Sequence, residues 1–121
     1  MARILIGLLI TMAAVPASAA DPAAGGAYFR SHCAVCHSSS PSAPQGVGPR
    51  LYGVVGRQSG SLPGYNYSQA MRQARIVWVT EVLKRYLTSP QSVVHGNKMP
   101  FPGIPKPADR ENVVAFLETL R

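Results

Sequence analysis

The chain has 121 residues, 12 Lys and Arg against 5 Asp and Glu, a formal net charge of +7 and two cysteines, Cys33 and Cys36. Such a length makes one small domain with little interior of its own, and two neighbouring cysteines exclude a disulfide framework. The cations are scattered, with no basic run and no nucleic-acid-binding motif, so nucleic acid is an unsuitable partner and the charge serves acidic partners or solubility.

After Met1-Ala2-Arg3 an apolar run extends from Ile4 to Val15, and Pro16-Ala17-Ser18-Ala19-Ala20 follows, with an A-x-A pattern before Asp21. Charged, apolar and small residues in that order make a secretory signal peptide. The run is shorter than the roughly 20 residues of a membrane-spanning helix, so residues 1–20 are expected to be a cleaved leader and 21–121 the mature domain. An uncleaved anchor is the alternative, because Ala13 to Ala20 could extend the run. Cleavage predicts a periplasmic protein of 101 residues and charge +6, without stable membrane insertion.

Asp21-Pro22 reads as an N-cap with proline at the first helical position, opening a helix toward Cys33 on which Gly25 and Phe29 share a face. Ser68 caps a short helix from Gln69 to Ala74. A further helix starts near Thr80, with Val82, Leu83, Tyr86 and Leu87 on one side, and stops at Ser89-Pro90. Pro107-Ala108-Asp109-Arg110-Glu111 opens the last helix, whose stripe is Val113, Val114, Phe116, Leu117 and Leu120. The Gly- and Pro-rich stretches 38–49 and 95–107 should be irregular, and no segment alternates as a strand. A glycine on the first helix makes a close crossing with the last one plausible.

The stretch "CAVCH", residues 33 to 37, has four readings. A zinc site wants four protein ligands, and only His32 and His95 could complete the set. A redox dithiol usually sits at a helix start beside a sheet, whereas these thiols follow a predicted helix. A local structural disulfide would stabilise little. In the haem reading each thiol adds across one vinyl group and the adjacent imidazole coordinates iron. A methionine thioether is then the candidate opposite ligand, since it favours ferrous iron. The mature chain offers Met71, on a helix where packing is the simpler role, and Met99, in the loop "HGNKMPFPG"; Met99 is the better candidate.

With those residues placed, the chain resembles class I cytochrome c, in its mitochondrial-like branch and in bacterial, exported form. "CAVCH", "GPRLYGVVGRQSG", "GYNYSQAM", the tryptophan of "IVWV", "LKRYLTSP", "KMPFPGI" and "DRENVVAFL" occur in the family's order. The resemblance implies an all-α fold of helices and loops around one covalently bound haem c, with crossed N- and C-terminal helices. It implies thioethers at Cys33 and Cys36 and iron ligands at His37 and Met99. Pro49 matches the proline whose carbonyl accepts from the ligand histidine. Arg57, Tyr67 and Trp78 match residues that hold the inner propionate, although the aromatics could be plain core and Arg57 a solvated charge. Tyr86 matches the hydroxyl beside the methionine sulfur.

The implied function is a monomeric, non-enzymatic periplasmic electron carrier of a respiratory-type chain. Its partners would be a membrane oxidase, a reaction centre, a cytochrome complex or a periplasmic dehydrogenase. The alternatives are the haem subunit of such a dehydrogenase, or a ligand-binding or peroxidase-like protein if Met99 binds weakly. Three departures stand out. His95-Gly96-Asn97 replaces the usual proline-glycine-threonine, so Asn97 would donate to a propionate through its amide, and His95 or Lys98 could replace Met99 at raised pH. Lys98 and Lys106 match the docking lysines, but His32, Gly46, Gln91, Ser92 and Pro105 occupy other ring positions, predicting docking that is less salt-sensitive and more apolar. Met71 stands where a polar residue is usual near the inner propionate.

Overall fold

The computed structural model describes residues 10–14 and 19–121. Most of the expected leader, residues 1–9 and 15–18, lies outside the described residues. Among the described residues, no helix is long and apolar enough to cross a membrane.

Helix α1 (Pro22–His32) begins as expected, because the Asp21 carboxylate accepts from the Ala23 N–H at 2.9 Å and Pro22 is preset for the first turn. It ends one residue before the first thiol. Cys33 is the C-cap, and the chain then turns tightly, with the His37 N–H donating to the Cys33 carbonyl at 2.9 Å. Helix α2 (Gln69–Ala74) is capped by Ser68, whose hydroxyl accepts from the Met71 N–H at 3.1 Å.

Helix α3 (Thr80–Thr88) buries Leu83 and Tyr86. Pro90 does not merely stop it: it opens a four-residue helix, α4 (Pro90–Val93), that the sequence reading lacked. Proline excluded from a helix interior is well suited to a first turn, so one residue both ends α3 and starts α4. Helix α5 (Pro107–Glu118) buries Val113, Val114 and Leu117.

Helices α1 and α5 cross with their backbones in contact. A Cβ at Gly25 would lie 1.8 Å from the Asn112 carbonyl oxygen, so only glycine permits the approach. The Asn112 side chain accepts from the Asp21 N–H at 2.8 Å, and the Phe29 and Phe116 rings pack 5.3 Å apart. Helix α3 joins α5 through Thr80, whose hydroxyl donates to Glu118 at 2.6 Å, and through Lys84, which lies 2.9 Å from the Glu111 carboxylate.

The rest of the described chain is irregular, with one isolated antiparallel bridge between Gln58 and Val77. The 94–106 loop is pinned to α3 where the Ile104 N–H donates to the Leu87 carbonyl at 2.7 Å and the Ile104 side chain is fully buried. Arg75 ends α2 with φ +52°, in the left-handed region that L residues other than glycine rarely adopt. Arg75→Gly is expected to stabilise the protein by about 0.5 kcal/mol, the relief of αL strain less glycine's extra unfolded-state entropy. A denaturant melt with lower stability would contradict it.

Candidate functional site

The local turn after α1, the irregular walls and the α3 face enclose one apolar cavity of about 260 Å³. Cys33, Cys36 and His37 reach it from the turn; Pro49 and Arg57 from the chain between α1 and α2; and Tyr67 from the approach to α2. Trp78, Tyr86, Asn97 and Met99 complete it from the α3 side and the 94–106 loop, so the ten residues expected to hold the haem and its iron line one space. Met71 lines it too, so that residue faces the cavity as well as packing on the core. His95 does not line it, being exposed on the loop, whereas Lys98 does.

The imidazole is held from behind. His37 Nδ1 lies 2.7 Å from the Pro49 carbonyl, so it carries the proton and donates, leaving Nε2 with its lone pair. Burial lowers the His37 pKa, and the Pro49 carbonyl opposes this only partly, so the ring is held as a neutral donor of electrons. Gly48 makes the arrangement possible: a Cβ there would come within 2.5 Å of the His37 ring. Sequence reasoning passed over Gly48; its adjacency to Pro49 in "GVGPR" was the available signal.

On the Met99 side, the Asn97 side chain is the anchor. Its Oδ1 accepts from the Met99 N–H at 2.9 Å, and its Nδ2 donates to the Val94 carbonyl at 2.9 Å, which leaves a single amide hydrogen for any further partner. Arg57 is half-buried, not a solvated charge, and its guanidinium donates to the Arg50 carbonyl at 2.9 Å and the Tyr52 carbonyl at 3.3 Å. Burial disfavours its charge and lowers its pKa. Trp78 packs edge-on against Tyr86, 4.8 Å between centroids.

Burial, with a smaller push from Tyr65, raises the Tyr86 phenol to about 12. The unfolded chain ionises this group near 10, so the stability it contributes is complete below that pH and disappears as pH rises through 12. The loss amounts to about 2.7 kcal/mol at most. Denaturant melts at pH 9 and 12 should show it in the parent and a flatter decline in Tyr86→Phe; parallel declines would sink the assignment.

Three of the four readings of "CAVCH" lose ground here. Among the described residues no group of three or more His, Cys, Asp or Glu is placed to hold a metal ion, which disfavours zinc. The two cysteines are not joined to each other, and burial followed by the Cys36 charge pushes the Cys33 thiol up to about 11, the reverse of an activated redox thiol. What remains suits haem. The cavity is apolar, its lining contains no Asp or Glu, and Arg57 and Lys98 supply positive charge for acidic substituents.

A space of this construction defines a protein of the c-type haem class. The family model for cytochrome c matches residues 22–121. Cytochrome c2 of Rhodopila globiformis is 48% identical over 101 residues, covering 84% of this chain and 94% of that one. Cytochrome c of Euglena viridis is 44% identical over 101 residues, covering 84% and 98%. Among solved structures, cytochrome cH from Methylobacterium extorquens superposes with a TM-score of 0.76 at 39% identity, covering 82% of this chain and 98% of that one. The chain belongs to the cytochrome c family, as a class I bacterial member of the mitochondrial-like branch. It is an electron-transfer protein carrying one haem c, attached through Cys33 and Cys36.

Proposed function

We propose that the protein is a periplasmic, monomeric electron carrier with His37 and Met99 as its iron ligands, and that it is not an enzyme. The observation that carries this is the position of Met99: it lines the same cavity as Cys33, Cys36 and His37, on a loop whose backbone Asn97 ties down. The bound haem supplies a one-electron ferric/ferrous couple, and the protein sets its potential and burial. Within that division His37 binds iron through Nε2 while Pro49 keeps its Nδ1 proton in place. Arg57, Tyr67 and Trp78 would hold the inner propionate, and the remaining Asn97 amide hydrogen would donate to a propionate. Tyr86 presents its hydroxyl near the Met99 sulfur.

Met99 would hold the iron opposite His37 and so leave no open site for substrate, which favours the carrier over the ligand-binding and peroxidase-like alternatives. The partners are exported or membrane-bound redox proteins: an oxidase, a reaction centre, a cytochrome complex or a dehydrogenase. Exposed Val35 and Val47 at the cavity mouth support an apolar contact with reduced dependence on salt. The leader, residues 1–20, directs export and is removed.

The decisive experiment is the optical spectrum of the mature protein, made in a host with haem-attachment machinery, beside that of Met99→Ala. At raised pH, Lys98 is the better candidate to displace Met99, since it lines the cavity and His95 does not. His95→Ala is expected to leave the alkaline transition unaltered in magnetic resonance spectra, and a shifted transition would return the role to His95.

A further inference from the structure

Three irregular segments meet at one side chain, Tyr65. Its hydroxyl donates to the Val47 carbonyl at 2.8 Å, on the segment that also carries Gly48 and Pro49. Its ring lies beneath the Lys98 ammonium, 4.8 Å from the centroid, and Lys98 also donates to the Asn66 carbonyl. The Tyr67 ring stands edge-on against it at 4.7 Å, which fixes the plane that Lys98 meets. Nearby, Gln45 spans the same two segments by donating to the Pro63 carbonyl at 3.3 Å. Val47, Tyr65 and Lys98 all line the cavity.

Lys98 immediately precedes Met99, which makes its fastening significant. The other hydrogen bonds of residues 95–101, among the described residues, stay within the loop or return to the α4 side. Gly96 donates to the Gln91 side chain at 3.0 Å, Gln91 donates to the Asn97 carbonyl at 2.9 Å, and Asn97 donates to Val94. The contact of Lys98 with Tyr65 and Asn66 therefore joins this loop to the opposite wall. Tyrosine serves both ends of that join, offering a π face to the cation and a hydroxyl to the carbonyl.

We propose that Tyr65 is a positioning residue: it clasps the Met99 loop, through Lys98, to the Val47 segment and thereby sets how readily Met99 yields to an external ligand. This rests on Met99 ligation as read above. Tyr65 touches neither iron ligand in this role, and acts by holding the loop that carries one of them.

The test uses the haem-loaded protein, Tyr65→Ala, Tyr65→Phe, and Val114→Ala as a control that opens a void in the core at a residue outside the cavity lining. Two quantities are read: the rate at which imidazole binds ferric iron, and hydrogen exchange at the Met99 and Phe101 amides, which are bonded to Asn97 Oδ1 and the Met99 carbonyl. Tyr65→Ala should raise both about tenfold, the loss of one cation–π contact and one hydrogen bond. Tyr65→Phe, which keeps the ring but not the hydroxyl, should fall between it and the parent, and Val114→Ala should change neither. Parent-like values in Tyr65→Ala, or equal acceleration in Val114→Ala, overturn the proposal. A parent lacking the sulfur-to-iron charge-transfer band refutes Met99 ligation; exchange alone then decides the clasp, faster exchange in Tyr65→Ala upholding it and unchanged exchange overturning it.

Discussion

Met99→Ala is expected to lose the ferric sulfur-to-iron charge-transfer band, with a reduction potential lower by on the order of 0.2 V, a fraction of the ~0.8 V that axial ligands span. The reason is the preference of a thioether for ferrous iron; water or a nitrogen in its place favours the ferric state. The covalent attachment and His37 are untouched, so the haem stays bound and the change belongs to one ligand. Met71 makes the experiment discriminating, because it is the second thioether lining the cavity. Its Met71→Leu variant should keep the band. Loss of the band there, with retention in Met99→Ala, would transfer the ligand role to Met71 and to α2. A haem-loaded parent without the band would bring the ligand-binding alternative forward.

The largest effect on stability is expected at the helix crossing. In Gly25→Ala a single methyl group would lie 1.8 Å from the Asn112 carbonyl oxygen and 2.9 Å from the Val113 nitrogen. Neither contact involves the end of a flexible side chain, so relief requires α1 and α5 to move apart, disturbing Phe29, Val113 and Leu117 together. The cost is about 3 kcal/mol or more, corresponding to a melting temperature roughly 15 °C lower for a domain of this size. Gly53→Ala is the comparison: φ is +73° there but nothing lies within 4 Å, so only backbone strain of about 1 kcal/mol is incurred. Thermal melts of the two variants separate close approach from conformational strain. Equal melting temperatures would mean that the crossing is looser than the backbone contact implies.

The consequence for function follows from where α1 ends. His37 hangs from the turn that caps this helix, and Phe29, Val113 and Leu117 form part of the cavity wall as well as the crossing. Spreading the helices therefore moves the wall behind the two thiols. A carrier gains from rigidity at that point, because a fixed coordination sphere changes little when the electron arrives or leaves.

Much of the helical framework was legible because its signals are local. Asp21-Pro22, Ser68 and Pro107 mark helix starts through backbone donors that need a partner or are absent. The apolar stripes of α3 and α5 follow from side-chain spacing alone. Pro90 was read for the helix it stops and not the one it starts, since the same residue type serves both and only the following chain direction distinguishes them. Gly48 and Tyr65 went unread for a different reason. Each acts on a residue in another turn or segment, and such contacts leave no period in the sequence.

The groups for attachment were legible in the sequence alone: two thiols and an imidazole within five residues are brought together by a tight turn after a helix. Only the tertiary structure decided which distant residues share that space. It brought Met99, Asn97 and Lys98 to the cavity and left His95 outside, although all four belong to one short loop. The physical reason is that an irregular loop takes its course from what pins it, here the Ile104 bond to α3, Gln91 within α4 and Tyr65 across the mouth. Those fastenings depend on the packed arrangement of the whole chain, which residue spacing within the loop does not contain.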